Sequence, residues 1–280
     1  MPIKLRMIHL IVCGCLVVLA GCGKTTHRQL QSPVSGCPDF SRDAKCINLV
    51  SLAEPDRAMV ESVLSGLDSI ISERRQQQTL TTLTFEDLYA PLEENQRVFL
   101  KAFASIDLNR LNLDVQQQNI PSTPPELVII ESQTLPFPAG QAYITQTQFL
   151  PKDIYIAYVN MTQAMQRDIG KTLYIASGYR SPAYQLYLFL FYLKNHDYSI
   201  LETRRFVAWP GFSDHGNPEH QAIDFVNEQG IDGQNNAAEF EALEEYHWLL
   251  NHAGQFGFEL SYPRDGKAAF EPWHWRFRGK

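Results

Sequence analysis

The sequence has no cysteine after Cys46. Beyond that residue a metal site can use only nitrogen and oxygen donors, so the cysteine-rich structural zinc sites are excluded there. The cysteines lie near the start of the 280-residue chain, at Cys13, Cys15, Cys22, Cys37 and Cys46.

Basic residues are also in short supply. The chain has 24 Lys and Arg against 31 Asp and Glu, a formal net charge of −7. Without residues 1–21, which contain Lys4 and Arg6, 22 basic and 31 acidic residues remain, a net charge of −9. This balance argues against nucleic acid or an anionic membrane surface as a partner. A substrate that carries a carboxylate would need a local cation to hold it.

Long apolar runs are scarce, and the one that stands out is at the start. Ile8 to Ala20 follows Lys4 and Arg6, and it is too short for a confident membrane span but typical of a secretory signal. Residues 1–21 are therefore predicted to be a signal peptide and to lie outside the fold.

The run ends in Leu19-Ala20-Gly21-Cys22, which resembles the lipobox of bacterial lipoproteins. The resemblance implies cleavage before Cys22, lipidation of that cysteine and a location on the periplasmic side of the cell envelope. Gly23 is not the aspartate associated with inner-membrane retention, so the outer membrane is preferred. Plain export with another cleavage site, or an uncleaved anchor, remains open.

Residues 22–50 are mixed in composition and predict a tether. Cys37 and Cys46 are close together in an exported protein, which favours a disulfide between them.

Two further regions follow. Residues 51–118 have apolar positions at helical spacing and predict a small helical region, whose apolar face is typical of packing. A weaker hypothesis gives this region a docking function. In residues 119–280 strands and helices are mixed, with several strands close together near the end, which predicts an α+β domain with an antiparallel sheet.

Two segments of the second region carry the candidate metal ligands. Residues 213–224 offer histidine and aspartate, and Glu271-Pro272-Trp273-His274 offers another histidine with a carboxylate three residues before it. Two imidazoles and one carboxylate form a common open zinc site, in which one coordination position is left for water. A nearby glutamate can take the proton of that water during hydrolysis.

With the earlier segment Ser177-Gly178-Tyr179-Arg180-Ser181, these stretches resemble the VanY-like D-alanyl-D-alanine carboxypeptidases of the LAS zinc peptidases. Those proteins have Ser-Gly-Tyr-Arg-Ser, Ser-x-His…Ala-x-Asp and Glu-x-x-His in this order. The resemblance extends from about Leu127 to the C-terminus. It implies an antiparallel-sheet peptidase fold of the LAS or hedgehog type for residues 119–280.

The resemblance also implies the ligand set. His215, Asp224 and His274 match the family's metal ligands, and Zn2+ is the implied cofactor. The gap from His215 to Asp224 is two residues longer than the usual pattern. The extra residues could bulge as a loop, or His220 could replace His215 as the ligand; the alignment of Ser213 favours His215.

The remaining site residues have roles implied by the family. Glu271 is the expected general base, and Arg180 is expected to bind the substrate carbonyl or the oxyanion. Gln185, Ser213 and Trp273 are the candidate substrate-binding residues. A structural ion pair is the alternative for Arg180, and a place in the core is the alternative for Trp273.

The function expected from this resemblance is a zinc-dependent D,D-carboxypeptidase. Zinc-bound water would hydrolyse the terminal D-Ala from peptidoglycan stem peptides, and a lipid anchor would hold the enzyme near that substrate. L,D-carboxypeptidase or endopeptidase activity within the same family is an alternative. A non-catalytic lipoprotein that binds the cell wall is another, supported by the insertion before Asp224.

Overall fold

The computed structural model describes residues 42–107, 125–136, 142–217, 220–234, 236–266 and 269–279. The predicted signal peptide, the predicted lipidation site Cys22, and Cys37 lie outside the described residues. Cys46 is disulfide-bonded. Among the helices in the described ranges, none has the length and apolar character needed to cross a membrane.

The N-terminal helices are α1 (Glu54–Gln76), α2 (Phe85–Tyr89) and α3 (Glu94–Ala104). Helix α1 has proline in its first turn, where the missing N–H costs nothing. Helix α2 starts with a complete capping box between Thr84 and Asp87. The apolar stripe of α1 is buried, at Val60, Val63, Leu64, Leu67 and Ile71.

These three helices share a hydrophobic core with a helix from the second half of the chain, α5 (Pro182–Leu193). Ser181 caps α5 by accepting a hydrogen bond from the Tyr184 N–H, and Pro182 occupies its first position. Because α5 is apolar nearly all round, it is buried against α1 on one side and against residues that follow it on the other. The N-terminal helices thus support the helix that carries Gln185.

A four-stranded sheet forms the second core. Its strands are β5 (Leu173–Ser177), β6 (Ala222–Asn227), β7 (Phe258–Leu260) and β8 (His274–Phe277), in the order β5-β6-β8-β7. Every neighbouring pair is antiparallel. Helices α4 (Lys152–Ile169) and α8 (Glu244–His252) contribute to the same core. The predicted α+β class with an antiparallel sheet is confirmed.

Smaller elements complete the described fold. Strand β1 (Leu127–Ile130) pairs with β4 (Gln148–Pro151), and β2 (Thr134–Pro136) pairs with β3 (Ala142–Ile144). Helix α6 covers Ile200–Thr203 and α7 covers Ala237–Glu241. The sequence predicts one helix over 237–255, but Leu243 is extended (ψ 142°) and separates α7 from α8.

Candidate metal centre

The register of the sheet brings two candidate ligands together. Asp224 on β6 lies directly opposite His274 on β8, and Ser177 at the end of β5 lies opposite Asp224 on the other side. Side chains that face each other across antiparallel strands have Cβ atoms about 4.5–5.5 Å apart. Residues fifty positions apart in the sequence are therefore neighbours on one face.

His215 reaches the same place from a short 3-10 turn, Asp214–Gly216. Two backbone contacts hold this turn against the segment after β5: the Arg180 N–H donates to the His215 carbonyl oxygen at 2.9 Å, and a Cβ on Gly216 would lie 2.6 Å from the Arg180 carbonyl oxygen. A side chain at residue 216 would push the turn away from Arg180. The glycine after His215 therefore keeps the imidazole and the guanidinium in one site.

The three ligand side chains are almost fully buried, each with a side-chain exposure of 3%. His215 Nε2 lies 3.3 Å from Asp224 Oδ2, and His274 Nδ1 lies 2.7 Å from Asp224 Oδ1. One donor atom from each residue lies within 4.8 Å of the other two. Nε2 of His215 has no hydrogen-bond partner within the described residues.

The charges favour a metal at this position. Burial opposes ionisation of Asp224, but the two imidazoles outweigh it and hold the pKa of Asp224 well below its ordinary value. Burial lowers the pKa of His215. For His274, Asp224 and Asp214 overcome the effect of burial and raise the pKa. Asp224 and His215 are thus already in their ligand forms at neutral pH, and metal binding would release a proton from His274.

In each imidazole, the ring nitrogen that does not face Asp224 lies close to an oxygen atom. His215 Nδ1 lies 2.9 Å from the Gly178 carbonyl oxygen, and His274 Nε2 lies 3.6 Å from Asp214 Oδ2, just beyond hydrogen-bond length. Such outer acceptors fix the tautomer and the orientation of metal-bound histidines. Tyr262 strengthens this arrangement, because its hydroxyl donates to Asp214 Oδ2 at 3.0 Å and its ring stacks on His274.

The donor set fits Zn2+. Two neutral imidazoles and one carboxylate, buried and backed by outer acceptors, leave one coordination position for water or substrate. The buried Nε2 of His215 that lacks a hydrogen-bond partner is explained by this use. Within the described residues, no other group of three or more metal-binding side chains is present.

A cavity opens onto this centre and brings the candidate catalytic residues together. His215, His274, Glu271 and Arg180 all line it. Glu271 is 4% exposed, and its position is fixed because its N–H donates to the Tyr262 carbonyl oxygen and its carbonyl oxygen accepts from the His274 N–H.

Residues 147–280 match the family model VanY, described as D-alanyl-D-alanine carboxypeptidase. Residues 147–280 are therefore similar to this family, and they contain the His215, Asp224 and His274 cluster that can bind a metal.

Solved structures similar to the chain include the LdcB LD-carboxypeptidase, which is 26% identical over 57% of this chain and 71% of its own, with a TM-score of 0.45. A VanY D,D-pentapeptidase mutant from a VanB-type resistance cassette, in complex with Zn(II), is 23% identical over 53% and 80%, with a TM-score of 0.36. DacB from Streptococcus pneumoniae is 26% identical over 47% and 67%, with a TM-score of 0.34. Among curated proteins, none is similar enough to this chain to count as a match.

The candidate ligands lie together despite the longer segment between His215 and Asp224. His220 lies away from the centre, and its Nε2 is 3.4 Å from the Arg278 guanidinium. His215 is therefore the histidine of this segment that joins Asp224 and His274 in the cluster that can bind a metal.

Arg180 lies in the centre of this site. It donates from Nη1 to Gln185 Oε1 at 3.2 Å and from Nη2 to Ser177 Oγ at 3.3 Å. Gln185 is fixed in turn, because its Nε2 donates to the Ala208 carbonyl oxygen. Within the described part of the chain, Arg180 makes no ion pair with a carboxylate. The structural ion pair considered for it from the sequence is not found there.

The candidate substrate-binding residues are in different environments. Ser213 lines the cavity beside His215. Gln185 is buried behind Arg180, a position that orients the guanidinium. Trp273 packs into the second core, 7% exposed and against Gly233, and it is not among the residues that line the cavity. Trp273 thus occupies the core position that the sequence left open as its alternative, and a substrate contact at this residue stays a prediction.

Asp214 offers a direct test of the centre. We expect Asp214→Asn to weaken zinc binding by about 10- to 100-fold, because an amide behind His274 no longer attracts the proton on Nε2. Zinc affinity would be measured by competition with a chromophoric chelator. The exposed Asp265→Asn is the control and should leave the affinity unchanged. Unchanged affinity in Asp214→Asn would mean that Asp214 does not orient His274.

Proposed function

We propose that this chain is a zinc-dependent D,D-carboxypeptidase that removes the terminal D-Ala from peptidoglycan stem peptides. The observation that carries the proposal is the convergence of His215, Asp224 and His274 in a buried cluster, at a cavity lined by Glu271 and Arg180, in a region similar to the VanY family.

When zinc is bound, it lowers the pKa of its water ligand and polarises the scissile carbonyl. Glu271 then acts as the general base and takes a proton from the attacking water. The same carboxyl group returns the proton to the amine of the departing D-Ala.

Arg180 stabilises the negative charge that develops on the carbonyl oxygen. Its guanidinium is already held by Gln185 and Ser177, both neutral, so its positive charge is not cancelled by either partner. A preorganised cation in a buried site contributes more to a developing charge than it would in water, because little reorganisation is needed during the reaction.

Mass spectrometry of the products from defined stem peptides tests which bond is cleaved. A D,D-carboxypeptidase releases one D-Ala from a pentapeptide ending in D-Ala-D-Ala and leaves the tetrapeptide intact. Release of D-Ala from the tetrapeptide would instead show L,D-carboxypeptidase activity, and cleavage of cross-linked dimers would show an endopeptidase. A zinc-loaded protein that cleaves none of these substrates would favour a non-catalytic cell-wall-binding protein.

We also propose that the chain is a lipoprotein held by Cys22 on the periplasmic side of the cell envelope, at the outer membrane. The support is the lipobox-like sequence Leu19-Ala20-Gly21-Cys22 and the glycine that follows it. Several acyl chains on one cysteine would hold the protein stably, whereas one chain binds weakly.

The anchor predicts a clear result on fractionation. We expect the wild-type chain in the outer-membrane fraction and Cys22→Ala outside it, since the variant has no thiol to acylate. Mass spectrometry of the N-terminal peptide would identify the acyl groups. A Cys22→Ala protein that still fractionates with the outer membrane would refute the lipid anchor.

A further inference from the structure

The cavity at the metal centre continues as a groove along α5. One wall is α5 itself, from which Leu188 and Tyr192 line the groove one helical turn apart. The other wall is residues 204–213, which run back along α5 towards His215. The metal-binding residues close one end of the groove.

Two contacts establish the direction of that second wall. Phe206 stacks on His196, which follows the end of α5, with ring centroids 4.5 Å apart. Ala208 accepts a hydrogen bond from Gln185, near the start of α5. The groove therefore runs from the metal centre near Gln185 to the region of Tyr192. At 1.5 Å of rise per residue, this span of α5 is about 10 Å long.

Arg204 lies at the far end of this groove and lines it. Its side-chain Nε is buried and has no hydrogen-bond partner. Within the described residues Arg204 forms no ion pair, although the next residue, Arg205, is paired with Glu202 at 2.9 Å. A buried Nε–H without an acceptor is costly in a folded protein, and a half-buried guanidinium that lines a groove can bind an anionic ligand there.

We propose that Arg204 binds a free carboxylate of the substrate on the acyl side of the scissile bond, about three residues from the metal centre. The inference rests on the proposed exopeptidase function. One extended residue spans at most about 3.3–3.6 Å, so a single departing amino acid cannot reach the end of a groove about 10 Å long. The part of the substrate that can reach Arg204 is the chain that remains after cleavage.

The chemistry of the far end suits a carboxylate on a peptide. A guanidinium can donate two parallel hydrogen bonds to one carboxylate. Tyr192 and Phe206 provide apolar surface beside it, where the aliphatic part of a substrate side chain can pack. The surrounding protein has an excess of acidic residues, so an uncompensated cation is needed to hold a negative group at this position.

Two synthetic stem pentapeptides test the inference. Both end in D-Ala-D-Ala, and they differ only in whether the carboxylates of the second and third residues are free or amidated. With the full zinc-loaded chain, we expect Arg204→Gln to lower kcat/KM for the free-acid peptide about 10- to 100-fold, mainly through KM. For the amidated peptide the change should stay within about threefold, since no charged bond is lost. Arg204→Lys should recover part of the loss.

Arg97→Gln is the control, because it removes the same charge from a side chain that is paired with Glu94 on α3 and does not line the groove. It should change neither peptide's kcat/KM appreciably. Equal losses for the free and amidated peptides with Arg204→Gln, or no loss for either, would overturn the inference. Zinc content and circular dichroism of the variants would reveal a folding defect, in which case Arg204→Lys takes the place of Arg204→Gln.

Calorimetric binding of the same two peptides separates this inference from the proposed function. If the wild-type chain cleaves neither peptide, the proposed function fails. The inference then still holds if the free-acid peptide binds more tightly than the amidated one and Arg204→Gln abolishes the difference. If the two peptides bind equally, the inference is overturned as well.

Discussion

Replacing Glu271 with glutamine is expected to lower kcat for the release of D-Ala by about 10²- to 10⁴-fold. Glutamine has nearly the same shape, but its amide cannot take a proton from the attacking water. Zinc content should remain at the wild-type level, because Glu271 does not belong to the ligand cluster of His215, Asp224 and His274. Steady-state release of D-Ala and elemental analysis of the purified variant measure the two quantities.

The exposed Glu131→Gln serves as the control, since it removes one carboxylate far from any assigned role. Its kcat should equal that of the wild type. A zinc-loaded Glu271→Gln protein with wild-type kcat would show that the proton is taken by another group. Loss of zinc from this variant would instead show that Glu271 takes part in metal binding.

Several helix boundaries follow from strong local signals in the sequence. Pro182 at the start of α5, Gly170 at the end of α4 and the capping box at Thr84 each determine a helix boundary through nearby backbone atoms. These effects act over a few residues, so they can be read without knowing the fold. The division between α7 and α8 was missed, because Leu243 is extended where an apolar periodicity alone indicates a continuous helix.

The pairing of Asp224 with His274 shows the limit of such predictions. Family-like motifs identified both residues as candidate ligands, but their contact depends on the register of β6 against β8. Register is determined by which faces of two distant strands become buried, and no short segment contains that information. Only the folded sheet shows that the carboxylate and the imidazole lie on one face.

Two other residues could not be assigned to the site from the sequence. Tyr262 resembles any aromatic residue near the end of a strand, yet it stacks on His274 and donates to Asp214. Arg204 resembles an ordinary surface arginine at the end of a helix, yet it lies at the end of the groove. Both assignments depend on contacts between segments that are far apart in sequence.

The role of the N-terminal helices also becomes clear only from packing. The apolar stripe of α1 predicted burial but not what covers it. In the structure, α1, α2 and α3 share one core with α5, so the apolar face considered for partner docking is instead occupied within the chain. A substitution that disturbs the packing of these helices would therefore displace α5, which carries Gln185 and forms one wall of the groove.

Asp224→Asn is expected to have the largest effect on the protein as a whole. The amide is a much poorer zinc ligand than the carboxylate, so zinc affinity should fall by more than the roughly 10- to 100-fold loss typical of an outer residue, and D-Ala release should fall with it.

The Asp224→Asn variant also breaks a buried charge cluster. Loss of one partner of such a cluster costs about 3–5 kcal/mol, so the metal-free variant should unfold at a lower urea concentration than the metal-free wild type.

The dependence of this stability loss on pH identifies its cause. The pKa of Asp224 is depressed in the folded state, so its contribution is present above its unfolded value of 3.8 and is lost as the pH falls through the folded pKa. The pKa of His274 is raised to about 10, so its contribution is complete below the unfolded value of 6.5 and is lost as the pH rises through the folded value. The difference between wild type and Asp224→Asn should therefore be largest between the unfolded values of the two groups, 3.8 and 6.5, and should shrink as the pH rises from 6.5 to the folded pKa of His274, about 10. Urea unfolding of chelator-treated proteins, with Asp265→Asn as the control, measures this difference. A difference that does not change with pH would mean that the loss comes from packing around residue 224, and the electrostatic account of the centre would then be wrong.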